Sequence, residues 1–277
     1  MNRLVIMAGG ASSRMKKSLE QASLDAPTKA IAQRVHKSLI PLGASKKPLL
    51  VHLLEHAQAA GYEKIYLITA PENSAFKAVL SGYPSLFSKG NFQVQYALQY
   101  PPKGDEKPLG TADAVLQAMT QYPELEKSAF TLCNGDNLYS KKSLALLLKP
   151  NSAPHALLCY DRSGLQFSEE RIARFAILAL DSESYLTEII EKPTSEQFAQ
   201  FKDEKETVYV SMNLFRFSGK RLKPYLENCP IHPERKEKEL PVAVGQLVQE
   251  QSKTVYGHKL TENVPDLTAA TDLLNFN

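Results

Sequence analysis

Several short segments of the chain carry residue types suited to phosphate chemistry. Gly9-Gly10-Ala11-Ser12-Ser13-Arg14 follows the apolar run Arg3–Ala8. A glycine pair after a buried strand lets backbone approach a ligand closely, and successive N–H groups there can cradle phosphate. Arg14 adds a planar fork of donors for phosphate oxygens. The spacing is not the dinucleotide fingerprint, which needs a third glycine, nor the Walker loop. A tight turn also explains the glycines. Lys37, ahead of Ser38-Leu39-Ile40-Pro41-Leu42, brings a point charge to the same phosphates or is a solvated end. In Leu109-Gly110-Thr111-Ala112, glycine admits a ligand and Thr111 can cap the helix that follows. Asn134-Gly135-Asp136-Asn137 closes the apolar run Ala129–Cys133. In open α/β sheets, ligands sit at that carboxyl edge. A carboxylate there can hold magnesium together with substrate phosphates, although the tetrapeptide is also turn-rich.

Three further features call for weighing. Glu191-Lys192-Pro193 closes an extended run, and proline ends it, so acid and base can share one end of a strand. Asn213 lies in the apolar stretch Val208–Phe217, where a polar residue is often a satisfied core amide. His52-Leu53-Leu54-Glu55-His56 fits the H-x-x-E-H zinc pattern, but no third ligand is evident and the same helix carries an apolar face. Ser12 and Ser13 lack the G-x-S-x-G elbow of a serine nucleophile.

The elements that must position these groups alternate in type. Strands are expected at Arg3–Ala8, Lys64–Thr69, Phe92–Leu98 and Ala129–Cys133. Helices are expected at Pro48–Ala60, with Pro48 in its first turn and Gly61 as its stop, and from Thr111 to about Gln121. This order favours a largely parallel sheet covered by helices on both faces. The second half reads as strands at His155–Tyr160, Phe175–Leu180, Tyr185–Glu191, Val208–Phe217 and Thr254–Lys259. Its helices are placed at Ser195–Phe201, Leu240–Gln251 and Asp266–Asn275. Lys16–Val35 and Tyr100–Lys107 read as polar insertions, the first as a lid or partner surface and the second as a surface loop. No linker separates independent domains, so one domain over 1–277 is expected, with a nucleotide-binding half (1–150) and a second half (151–277).

Composition narrows the class without giving a function. The 277 residues are 43% hydrophobic and 23% charged, ordinary globular values that argue against disorder. The 33 basic and 30 acidic residues leave a net charge of +3, which gives no case for nucleic acid or an anionic membrane. No apolar run approaches the roughly 20 residues of a membrane helix, and Leu4–Ala8 runs into glycine where a secretory signal would continue. Cys133, Cys159 and Cys229 are far apart and odd in number. They suggest a reducing compartment with no disulfide framework, so a cytoplasmic location is expected.

Taken together, the segments resemble the sugar-1-phosphate nucleotidylyltransferases. The likeness lies in their order: MAGGASSRM, KSLIPL…KPLL, LGTA, NGDN, IIEKP, SMNLFRF. It spans Leu4 to about Asp272 and implies a Rossmann-like three-layer α/β/α fold with a mostly parallel mixed sheet. By this resemblance Ala8, Gly9 and Gly10 hold the nucleotide, and Gln99, Gly110 and Thr111 read the base. Arg14 and Lys37 contact the triphosphate, and Asp136 binds Mg2+. Glu191 and Asn213 contact the sugar, and Lys192 its phosphate. The second metal ligand falls to Asn263 by its place ahead of Leu267, with Asp266 next, and Glu239 lies in an acidic segment of less defined role. Ser12 stands where the family commonly has glycine, and both insertions lengthen stretches that border the nucleotide residues.

The implied reaction is in-line attack of a sugar-1-phosphate on the α-phosphorus of a nucleoside triphosphate, with pyrophosphate leaving. The nucleophile is already an anion, so positioning and charge neutralisation suffice. The alternatives are a same-fold transferase acting on phosphocholine, a sugar acid or molybdopterin, and a non-catalytic nucleotide sensor. A nicotinamide oxidoreductase would need an acidic residue about 20 positions past the loop at a strand end. Asp25, in a polar insertion, does not supply it. A homo-oligomer is left open.

Overall fold

The computed structural model describes residues 1–88, 90–203 and 206–276. The strands are β1 (Arg3–Met7), β2 (Pro41–Leu42), β3 (Lys47–Pro48), β4 (Lys64–Thr69), β5 (Gln93–Leu98), β6 (Ala129–Asn134), β7 (His155–Asp161), β8 (Ile177–Leu180), β9 (Leu186–Ile190), β10 (Tyr209–Ser218) and β11 (Val255–Leu260). The helices are α1 (Ser13–Ser18), α2 (Ala26–Arg34), α3 (Leu49–Ala60), α4 (Ser74–Ser81), α5 (Thr111–Gln121), α6 (Lys141–Leu146), α7 (Glu169–Ile172), α8 (Ser195–Gln200), α9 (Gly219–Glu227) and α10 (Leu240–Glu250). The fold is α/β with a mixed, mostly parallel sheet.

The chain forms two compact units, and each is built from segments distant in sequence. The first comprises Met1–Leu98, Asn134–Ala145 and Val264–Asn277, and the second Gln99–Cys133 and Leu146–Asn263. In the first, β1 pairs parallel with β4, and β4 with β5. Leu4, Val5 and Ile6 of β1 and Ile65 to Leu67 of β4 are fully buried, so these strands read as continuous apolar runs rather than alternating ones. α3 turns Leu49, Leu50, Leu53, Leu54 and Ala57 inward. Gly61 stops it at φ 99°, a left-handed conformation cheap only for glycine. Pro48 sits just ahead of the first helical residue, at the cap itself.

Lys16–Val35 is not the loose polar insertion that its composition suggests. It holds the end of α1 and all of α2. Asp25 caps α2 by accepting from the Thr28 backbone N–H at 2.8 Å. Met15, Leu19, Ala22 and Ala32 join Ile40, Leu42, Leu49, Leu267, Ala270 and Leu273 in one buried cluster. The C-terminal segment reaches this cluster as a 3-10 helix over Ala270–Phe276, shorter and tighter than the expected helix from Asp266. The Ser18 hydroxyl accepts from the Ala270 N–H at 2.8 Å.

In the second unit β10 is the hub. It pairs antiparallel with β6, β7 and β8, while β11 runs parallel to β7. Phe215 and Phe217 of β10 stack at 5.3 Å. α10 packs on β9, and a Cβ on Gly245 would meet Ile189 only at ordinary contact distance, 3.7 Å. Tyr100–Lys107 contains no helix or strand, as its proline and glycine content suggests.

Candidate active site

The first cluster lies wholly in the first unit. β1 delivers Ala8, whose N–H is held by the Ile68 carbonyl at 2.8 Å. The loop then opens: a side chain on Gly10 would meet nothing within 4 Å, so a ligand has room over this backbone. Ser12 adopts φ 56°, ψ 26°. A left-handed residue at this point explains why glycine is the common occupant in the family it resembles. Ser12 puts its hydroxyl to use, accepting from the Lys37 backbone N–H at 3.1 Å. The glycine loop and the lysine segment are thereby tied together. Arg14 is exposed on α1, and its guanidinium has no partner among the described residues.

Asp136 arrives on the turn after β6. Gly135 lets that turn press against β1, with its N–H on the Met7 carbonyl at 2.8 Å. A Cβ there would sit 3.0 Å from the Met7 carbonyl and 3.1 Å from the Ala8 methyl. The Asp136 carboxylate forms an ion pair with the Lys37 ammonium. Its backbone carbonyl accepts from Leu267 at 2.8 Å, and Asn137 bridges to Asp266. His36 adjoins the pair. Burial lowers its pKa to about 4, reinforced by Lys37 and Lys16 and opposed by Asp136. It is therefore neutral near pH 7, and the local charge rests with the lysines and Asp136.

Asp136 and Asp266 share one small region of the first unit. The Asp266 carboxylate accepts from the Thr268 hydroxyl at 2.9 and 3.1 Å. Asn263 belongs to the second unit, where its amide oxygen accepts from the Gln166 N–H at 2.9 Å. Among the described residues no group of three or more His, Cys, Asp or Glu could hold a metal alone. Magnesium usually takes one or two carboxylates and completes its shell with phosphate oxygens and water. Asp136 at a strand's carboxyl edge fits that demand, and a cage built only of protein groups does not.

The second cluster lies wholly in the second unit. Gln99 is buried and donates through its amide to the Gly110 carbonyl at 2.9 Å. Gly110 adopts φ 99°, and a Cβ there would come within 2.8 Å of the Lys238 carbonyl. Thr111 does not cap its own helix. Its hydroxyl accepts from the Leu240 N–H at 2.9 Å, so it caps α10 instead. Ala112 donates to the Lys238 carbonyl at 3.0 Å and Lys238 donates to that of Leu109.

Glu191 follows β9. Burial and the nearby Glu239 charge raise its pKa to about 6, with Lys192 and Arg235 pulling the other way. Lys192 is exposed at φ 48°. Asn213 is not a plain strand residue. It sits at φ 55°, where the β10–β7 register shifts between Ser211 and Phe215. Asparagine tolerates this conformation better than most side chains, and such bulges re-aim a side chain. The Ser211 hydroxyl accepts from the Asn213 N–H at 3.1 Å. Sequence reasoning did not reach Arg235, which pairs with Glu239, because an arginine within the run Glu234–Glu239 reads as solvated surface.

The zinc-like spacing on α3 has other uses. Lys47 binds both Glu55 oxygens, at 2.8 and 3.0 Å, and His56 Nδ1 contacts the Tyr139 carbonyl at 2.8 Å. Cys133, Cys159 and Cys229 are buried, and among the described residues they form no disulfide.

An open glycine loop tied to a lysine, with a carboxylate at a strand's carboxyl edge, is an arrangement suited to anionic ligands. Comparison with known proteins makes the class specific. Residues 3–261 match the nucleotidyl transferase family, and the chain belongs to it. It is 25% identical over 197 residues to the glucose-1-phosphate adenylyltransferase small subunit, chloroplastic/amyloplastic, of Triticum aestivum, with 70% of this chain covered. The match spans 38% of that relative's length. A solved structure of UDP-glucose pyrophosphorylase complexed with UDP-glucose shares the fold, with a TM-score of 0.69 and 13% identity. The likeness covers 99% of this chain and 96% of that one.

Proposed function

We propose that the protein joins a sugar-1-phosphate to a nucleoside triphosphate, giving an NDP-sugar and pyrophosphate. The observation that carries this reading is the Lys37–Asp136 pair at the carboxyl edge of β6, tied through Ser12 to the open glycine loop. Both named relatives act on glucose phosphates or nucleotide sugars, which supports the same substrate class here. In this reading the chain works as one transferase over 1–277, with triphosphate handling in the first cluster and base and sugar recognition in the second.

In this reading, the backbone of Ala8, Gly9 and Gly10 lies against the nucleotide, and Arg14 binds the phosphates that leave. Lys37 neutralises charge at the α-phosphate. The Gln99 amide nitrogen is already used on Gly110, so its oxygen is left to accept from the base, with Gly110 and Thr111 fixing the loop. Glu191 and Asn213 orient the sugar through its hydroxyls, and Lys192 meets its phosphate. Asp136 would hold Mg2+, with Asp266 as the second ligand and Asn263 the weaker candidate. A bound metal supplies charge neutralisation of the phosphates. No general base is needed, because the sugar phosphate is already anionic near neutral pH.

The test is pyrophosphate release with magnesium, each common triphosphate being paired with a panel of sugar-1-phosphates and phosphocholine. Release with one sugar-1-phosphate pair is the expected result. Release with phosphocholine alone would replace the acceptor. Tight nucleotide binding without turnover would make the protein a sensor.

A further inference from the structure

The segment Arg235–Leu240 joins two parts of the second cluster. On one side it is locked to the base loop by the Lys238 backbone pairing with Leu109 and Ala112, and by the Thr111 cap on Leu240. The close fit of Gly110 against Lys238 leaves little slack there. On the other side Glu239 opens α10, which packs on β9, the strand that delivers Glu191. Glu239 provides no side-chain cap to that helix. It is largely buried and paired with Arg235. Two carboxylates, Glu191 and Glu239, therefore share one neighbourhood, and Arg235 is the cation bound to one of them.

We propose that Arg235 is a positioning residue for the sugar side. By holding the Glu239 carboxylate it leaves Glu191 ionised and free to accept from sugar hydroxyls. The inference rests on the sugar role given to Glu191 above. Arg235 acts through Glu239 and touches no substrate. Like charges at short range disfavour each other's ionisation, and Glu191 is already pushed upward by burial and by Glu239. The charged groups facing Glu191 are Glu239 and Arg235 on this segment and its own neighbour Lys192.

The experiment compares wild type, Arg235→Ala, Glu239→Gln and the double variant. It reads KM for the sugar-1-phosphate that the wild type turns over, at saturating triphosphate and magnesium, with melting temperature as a folding control. Arg235→Ala is expected to raise that KM about threefold at pH 6.5 and toward tenfold near pH 5, the effect of roughly one pKa unit on Glu191, with kcat changed less. The double variant, with both charges gone, is expected to return close to the wild-type KM at both pH values. A purely structural role for Arg235 would not be rescued by removing Glu239's charge. An unchanged KM in Arg235→Ala, or a double variant no better than the single, overturns the proposal. If the wild type turns over no sugar phosphate, the functional reading fails separately. The Glu191 carboxyl titration followed by NMR then decides the point: it must move up in Arg235→Ala and back in the double variant, and a titration that does not move overturns the proposal.

Discussion

Glu191 is a residue whose chemistry depends on its surroundings. Its pKa of about 6 means that it is ionised at pH 7 but half protonated a unit lower. The affinity for sugar-1-phosphate is expected to strengthen as pH rises through about 6, read as a falling KM, and Glu191→Gln should flatten that limb. The same shift has a cost for the fold. An acid with a raised folded pKa contributes stability that is present below its ordinary value of 4.5 and lost as pH rises through about 6. His36 and His155 work in the opposite sense. Burial lowers both to about 4 from 6.5, so their contribution is present above 6.5 and lost as pH falls toward 4. Urea midpoints should therefore decline on acidification across that window, and His155→Leu should make the decline shallower. At Asp136 the expected change is in rate. Asp136→Asn should cost about a hundredfold or more in kcat, with a melting temperature close to wild type because the Lys37 partner is not fully enclosed.

The elements show why sequence reaches some features and not others. β4 and α5 have their expected limits, since apolar runs and helical spacing are local signals. α9 was not anticipated: Pro224 lies inside it and its surface is basic, so local propensity argues against a helix that packing on α5 and α10 supports. α1 and α2 escaped for a related reason. Their few apolar residues become meaningful only against Leu267, Ala270 and Leu273, far away in the chain. Site residues carried by glycine turns were legible because the turn itself is a signal. The strap Arg235–Leu240 was not, because its role lies in backbone pairing with Leu109 and Ala112. Gly110 tests that pairing. Gly110→Ala must place a Cβ near the Lys238 carbonyl at a positive φ, so it should destabilise by about 1–3 kcal/mol in urea unfolding. Thr111→Val, which leaves the first N–H of α10 without its acceptor, should cost about 1 kcal/mol.

At the scale of the whole molecule, the chain divides its tasks in a way its linear order hides. The C-terminal Val264–Asn277 returns to the unit that contains the glycine loop, while Gln99–Cys133 belongs with the later half. The residues proposed above to read base and sugar thus share one unit, and those proposed to handle the triphosphate occupy the other. The family match over residues 3–261 spans segments of both units. Among the described residues no helix is long and apolar enough to cross a membrane. The central claim is transfer of the nucleotidyl group with loss of pyrophosphate, and labelled triphosphate tests it most directly. With one label on the α-phosphorus and another on the γ, incubated with magnesium and sugar-1-phosphate, the α label is predicted in the NDP-sugar and the γ label in pyrophosphate. Asp136→Asn should abolish both transfers. Recovery of the γ label as inorganic phosphate, with the α label absent from any sugar product, would contradict the account.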